Sequence, residues 1–200
     1  MHLINTEGPS IEPLELADAK IHCRVDTTYD DNLITALIIM ARQFVEQYII
    51  SSLITQNWSV YYDYKDVKWY SPKNFIRLPM KPVQNITTIT TYDDCDNATV
   101  FDSSNYRLST GDNRIVLNNN CYWPDNLRLY DCMEIDFVAG FGSEAANVPL
   151  SIVQAMKLLV GQWYENRETI SDPMVLRDKA GGDLSFTVTA LLSQYRTLII

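Results

Sequence analysis

The sequence predicts an α+β protein in which an antiparallel β module is inserted into an α-helical bundle domain. Segments near both ends of the chain repeat apolar residues at helical spacing, whereas the middle alternates apolar and polar residues. The pattern changes abruptly after Thr55 and again at Gly140–Gly142. We therefore expect the helical domain to comprise residues 1–55 and 143–200, and the β module to comprise residues 56–142.

The composition indicates a protein with a sizeable core. The chain has 200 residues, of which 46% are hydrophobic, so it needs no disulfides for stability. Its four cysteines are far apart and have no histidines at metal-ligand spacing, so we predict a reduced protein without a metal or a cofactor. The first ten residues do not resemble a secretory signal, and the apolar run from Leu33 to Met40 is too short to span a bilayer. We expect synthesis in the cytoplasm and no membrane segment.

The charge argues against nucleic-acid binding as the main function. The formal net charge is -9, and the sixteen lysines and arginines are scattered along the chain. Such a surface repels a phosphate backbone. The same acidity is compatible with a passage through which DNA slides without sticking.

Two helices are predicted in the first part of the chain. Residues 13–23 contain good helix formers with apolar residues at helical spacing. Asp30 or Asp31 can accept the free amide hydrogens at the start of a second helix, which runs to about Ile50. Its apolar stripe is broad enough to need two neighbours. The stripe contains Leu33, Ile34, Leu37, Ile38, Met40, Ala41, Phe44, Val45, Tyr48 and Ile49.

The middle of the chain predicts short strands joined by turns. The clearest is 132–138, where three apolar side chains alternate with two acidic ones. Residues 93–97, with three aspartates and an asparagine, predict a hairpin turn. The other predicted strands begin near Trp58 or cover 75–78, 83–92, 98–101, 106–108 and 114–117.

Helical spacing returns in the last part of the chain. A third helix is predicted from Pro149 to about Arg167, and it is the best partner for the second. Residues 171–185 predict a loop, and 188–196 a short final helix.

No pattern of catalytic residues survives inspection. His22 and Cys23 are adjacent, but neighbours on a helix point about 100° apart and cannot share a proton. Glu165 and Glu168 are one turn apart, yet nothing supplies a sugar-binding cleft, so ion pairing is the ordinary interpretation. The acidic turn at 93–97 lacks the glycine and the distal glutamate of a calcium loop. We therefore do not expect an enzyme.

Several motifs, taken together and in order, resemble the head-tail connector (adaptor) family of tailed bacteriophages and gene transfer agents. They cover nearly the whole chain, with departures at Cys23, where the family often has leucine, and at Gln194, where it often has proline. The motifs are LADAKIHCRVD at 16–26, DDNLITALI at 30–38, QNW at 56–58, IRLPMKPVQNI at 76–86, FVAGFG at 137–142, VPLSIVQA at 148–155, WYENRE at 163–168 and ALLSQYR at 190–196.

The resemblance implies a structural subunit of the virion neck, not an enzyme. Such a subunit forms a ring of about twelve copies under the portal protein. The ring extends the DNA channel without reading the sequence of the genome, and it contacts the next tail, stopper or nozzle protein.

Two hypotheses concern particular residues. The apolar C-terminus, Leu198, Ile199 and Ile200, could dock into a groove of the portal protein. The group Trp163, Glu165, Asn166 and Arg167, at the end of a core helix, could act in folding or subunit packing. The alternative function is a carbohydrate- or host-binding tail accessory protein that uses the aromatic residues between 58 and 70.

Overall fold

A computed structural model describes residues 1–70, 74–166 and 186–196, without the side chains of Trp69 and Tyr70. The chain divides into two compact units. The β unit contains residues 1–10 and 55–141, and the helical unit contains residues 11–54 and the described residues from 142 onward. The predicted α+β class is confirmed.

The elements alternate between the units because the chain crosses from one to the other three times. In chain order they are β1 (His2–Glu7), α1 (Leu16–Cys23), α2 (Asp31–Ile49), β2 (Gln56–Tyr62), α3 (Tyr64–Tyr70), β3 (Phe75–Arg77), β4 (Val83–Tyr92), β5 (Ala98–Val100), β6 (Tyr106–Ser109), β7 (Arg114–Leu117), β8 (Met133–Ala139), α4 (Leu150–Glu165) and α5 (Phe186–Ser193).

The β unit contains two antiparallel sheets. The larger has five strands in the order β1-β2-β8-β4-β5, and the smaller has three in the order β3-β7-β6. Strand β8 lies at the centre of the larger sheet, between β2 and β4. The order of the strands in space thus differs from their order along the chain, and the central strand is the last to be synthesised.

The core of the β unit follows from the alternation in β8. Met133, Ile135 and Phe137 are buried, whereas Glu134 and Asp136 on the other face are half-buried. Ile135 lies opposite Val60 on one side and Ile89 on the other, and all three side chains are fully buried. The predicted half-buried strand is therefore confirmed.

The helical unit is built from α1, α2, α4 and α5. Helix α2 packs against α4, and α4 also contacts α1 and α5. The predicted pairing of the second and third helices is confirmed. Pro149 stands at the N-cap of α4, one position before the first-turn place predicted for it.

The stripe predicted for α2 is only partly covered. Ile34, Leu37, Ile38, Ala41, Val45 and Ile49 are buried. Leu33, Met40 and Phe44, which belong to the same stripe, are exposed. Asp30 stands at the N-cap as predicted, but its carboxylate makes no capping hydrogen bond. It accepts one from the Tyr164 hydroxyl instead.

Two elements differ from the sequence-based expectation. Residues 1–10, which the pattern assigned to the helical domain, belong to the β unit because β1 pairs with β2 from His2 opposite Tyr61 to Glu7 opposite Asn57. The aromatic run after Tyr62 does not continue as a strand, since Tyr64–Tyr70 forms helix α3.

Replacing Phe137 by alanine should lower the free energy of unfolding by about 3–5 kcal/mol, because the large side chain is buried at the centre of the sheet and leaves a cavity. Urea denaturation monitored by circular dichroism measures this change. Val100→Ala is the control, because Val100 is 65% exposed, and its effect should stay within about 0.5 kcal/mol. Equal effects of the two substitutions would contradict this account of the core.

Candidate interaction surfaces

A buried ion cluster lies where the chain enters and leaves the first part of the helical unit. The Arg42 side chain of α2 donates through Nε to Glu12 Oε2 and through Nη1 to Glu46 Oε2, both at 2.8 Å. Arg42 and Glu46 are only 7% and 8% exposed. Burial opposes the charge of Arg42, but the hydrogen bond to Glu12 and the charge of Glu46 outweigh it, so the pKa of the guanidinium is raised.

The cluster holds two chain segments against α2. Glu46 accepts a hydrogen bond from the Leu53 backbone N–H through its second oxygen, at 2.8 Å. Glu12 lies two residues after the first crossing between the units, and Leu53 lies two residues before the second. The two ends of segment 11–54 are therefore fixed next to one helix. Sequence reasoning did not identify this cluster, although Arg42 and Glu46, four residues apart in an apolar helix, were a visible signal.

The end of α4 contains most of the residues predicted to act in packing. The Trp163 ring meets the Phe44 ring of α2 edge to face, with centroids 6.0 Å apart. Asn166 donates its side-chain amide to the Gln162 carbonyl oxygen at 2.8 Å and closes the helix. Glu165 is exposed, and Arg167 lies outside the described residues. Trp163 and Asn166 thus make contacts within the helical unit, whereas a role of this group in folding or in subunit packing stays a prediction.

The residues considered for catalysis do not form a site. His22 is exposed at the end of α1 and Cys23 is half-buried. Burial, and then the nearby charge of Glu165, raise the pKa of the Cys23 thiol, which keeps it in the unreactive protonated form near neutral pH. Glu168 lies outside the described residues, so the predicted pair with Glu165 is not seen.

The acidic turn between β4 and β5 is a closed hairpin turn, as predicted. Asp93 Oδ1 accepts hydrogen bonds from the backbone N–H groups of Cys95 and Asn97, both at 2.9 Å. The hydrogen bonds from Asn97 lower the pKa of Asp93. In the described part of the chain, no three His, Cys, Asp or Glu residues come together as a metal site.

The aromatic residues of β2 do not form the exposed patch that the alternative function requires. Tyr62 is fully buried and donates its hydroxyl to the Arg77 carbonyl oxygen at 2.7 Å. Tyr61 is half-buried and donates to Glu134 at 2.6 Å, which raises the pKa of its phenol to about 12. Trp58 and Tyr64 are also half-buried. The side chains of Trp69 and Tyr70 are outside the description.

Polar side chains line the face of the larger sheet on which Tyr61 and Glu134 lie. Tyr61 and Tyr92, on the strands flanking β8, both donate to Glu134, at 2.6 and 2.7 Å. Ser59 and Thr88 both donate to Asp136. The carboxylates of the central strand are satisfied by hydroxyl donors from the neighbouring strands, so these groups stabilise the sheet and are not an open acid pair.

The family model described as "Head completion protein" matches residues 14–198. The chain belongs to this family. The resemblance to head-tail connector proteins is therefore confirmed, and the match includes the described helices and every strand of the β unit except β1. Among curated proteins, none matches the chain.

Solved structures with a similar fold come from the neck and the virion of a gene transfer agent particle. One is described as the neck of a native particle computed with C12 symmetry, with 22% identity and a TM-score of 0.77. Another, the neck of an empty particle computed with C6 symmetry, has 23% identity and a TM-score of 0.76. A third, the virion of a native particle, has 22% identity and a TM-score of 0.73. Each match covers 100% of this chain and 97% of the other chain.

These similarities show that the whole chain shares one fold with those neck proteins. Within the described residues, no helix is both long enough and apolar enough to cross a membrane.

Replacing Arg42 by methionine should lower the free energy of unfolding by about 3–5 kcal/mol, because the carboxylates of Glu12 and Glu46 lose the cation between them. Urea denaturation of the variant against the exposed control Arg107→Met measures the difference. Glu46→Gln retains an acceptor for the Leu53 N–H and should cost less than Glu46→Leu. If Arg42→Met is no more destabilising than its control, the cluster does not hold the unit together.

Proposed function

We propose that this head completion protein is a structural head-tail connector (adaptor) subunit in the neck of a virion. In this role it assembles as a ring of twelve copies under the portal protein. The ring extends the DNA channel and presents a platform to the tail, stopper or nozzle protein that follows.

The family match over residues 14–198 carries this proposal. It includes every described element except β1, so it supports the role for the chain as a whole and not for one module. The number of copies is supported by the C12 symmetry of a neck that contains a chain of similar fold.

The chemistry of the chain supports a passive role towards DNA. The net charge of -9 opposes adhesion of the phosphate backbone, so the genome passes the ring without sequence-specific binding. The pKa of the Cys23 thiol is raised, which keeps this group protonated near neutral pH, and Glu165 is exposed to solvent. We therefore propose a non-enzymatic protein that needs no cofactor.

Two contacts remain proposals. The apolar C-terminus Leu198–Ile200, which lies outside the described residues, is proposed to dock on the portal protein. Trp163, with Glu165, Asn166 and Arg167, is proposed to support subunit packing as well as the fold.

Native mass spectrometry of the purified chain, alone and mixed with the portal protein encoded beside it, tests the connector function. We expect a closed ring, either free or formed on the portal, because ring subunits saturate their contacts only on closure. A chain that stays monomeric and does not bind the portal protein would refute the proposal.

Removing Leu198, Ile199 and Ile200 should weaken portal binding, because the proposed contact loses its apolar area. Pull-down on immobilised portal protein measures the loss of binding relative to the wild-type chain. A second variant, in which the three residues are replaced by serine, is measured in the same way. Unchanged binding of both variants would refute docking by the C-terminus while leaving ring formation untouched.

A further inference from the structure

Helix α2 has an unusual distribution of charge. Its three charged residues, Asp31, Arg42 and Glu46, are all engaged in ion pairs, and the last two are buried. Its exposed residues are all uncharged. They are Asn32, Leu33, Thr35, Ala36, Ile39, Met40, Gln43, Phe44 and Gln47.

This exposed surface, the neutral face of α2, is continuous. At 100° per residue its members occupy one half of the helix circumference. Leu33, Ile39, Met40 and Phe44 are 36%, 37%, 43% and 36% exposed. Phe44 also contacts Trp163, so the face continues onto the end of α4.

A helix that faces only water does not have this composition. Surface helices carry charged and polar side chains on the outer face, and the apolar face points to the core. In α2 the buried face is apolar except for the Arg42–Glu46 ion pair, and the outer face carries four large apolar side chains and no charge. The centres of protein interfaces are depleted in charge and enriched in methionine and aromatic residues, which describes this face.

We propose that the neutral face of α2 is the surface through which each subunit contacts the next copy of the same chain in the ring. This inference rests on the proposed connector function and adds the location of the subunit contact.

Charge favours a second copy as the occupant. Two chains with a net charge of -9 repel each other, and contact through a surface without charge minimises that repulsion while it removes apolar area from water. A basic partner would require acidic side chains on this face, and DNA would require basic ones. The face has neither.

The size of the face fits the centre of a larger contact. A helix of 19 residues is about 28 Å long, and its exposed half is about 10 Å wide. That area of about 300 Å² is less than the roughly 800 Å² that each partner buries in a standard interface. In a closed ring each subunit uses two different surfaces, so the face should meet a part of the neighbour other than its own α2.

A photo-crosslinking residue at position 40, Met40→p-benzoylphenylalanine, tests the occupant directly in the assembled ring. We expect crosslinks between two copies of the chain, with the attachment point outside α2 of the second copy. Crosslinks to the portal protein instead, crosslinks that join two α2 helices, or a ring that gives no crosslink would each overturn the proposal.

A paired substitution tests the energetic role. The double variant Ile39→Lys and Met40→Lys should raise the concentration at which half of the chains assemble by on the order of 100-fold, because two charges lose water on contact. Added lysines reduce the net negative charge, so general repulsion cannot cause the loss. Val100→Lys, on β5 of the β unit, is the matched control and should assemble normally.

Circular dichroism and thermal unfolding confirm that the double variant is folded before assembly is measured. If the wild-type chain forms rings and the double variant forms them equally well, the neutral face of α2 is not the subunit contact, but the connector function stands. If the wild-type chain forms no ring with or without the portal protein, the connector function itself fails.

Discussion

The ion cluster of Glu12, Arg42 and Glu46 is the constraint on which the arrangement of the helical unit depends. A guanidinium is costly to bury unless its hydrogen bonds are satisfied, and here carboxylates from two segments supply them. The Leu53 N–H binds the same Glu46 side chain, so the segment that follows α2 is held at the same place. Because the buried charges of Arg42 and Glu46 must stay paired, α2 is held in one orientation about its axis. That orientation decides which of its apolar residues are covered and which face outward.

In each unit, contacts hold together the stretches of chain next to the first and second crossings. In the helical unit the ion cluster fixes Glu12 and Leu53 against α2, and in the β unit β1 pairs with β2 just before the first crossing and just after the second. Contacts in the helical unit and in the β unit therefore both hold the two ends of segment 11–54. The Ile50 backbone, with φ of 54°, makes the turn out of α2, and the Ser51 N–H bonds to the Glu46 carbonyl oxygen. A β-branched residue in the left-handed region is unfavourable by itself, so the surrounding bonds must hold it there.

Periodicity in the sequence predicted the elements that have a strong local pattern. Strand β8, with alternating apolar and acidic residues, and helix α2, with its apolar repeat, were found close to their observed limits. Strand β1 was missed because six residues without alternation gain stability only from pairing with β2, some fifty positions later. Helix α3 was missed because its tyrosines and tryptophan favour strands locally. Periodicity also cannot tell which half of a broad apolar stripe is covered, since that depends on Arg42 and its two carboxylates. The resemblance to the connector family identified the function that no catalytic or binding motif could indicate.

The place of β8 in the larger sheet has a consequence for biosynthesis. The strand between β2 and β4 ends at Ala139, and helix α4, the main partner of α2, begins only at Leu150. A nascent chain that has left the ribosome up to residue 130 contains most of its elements but can complete neither core. Folding therefore depends on pairings between distant parts of the chain and is slow compared with that of a simple helical bundle. A ribosome-bound fragment of that length therefore has no finished surface to offer to a partner.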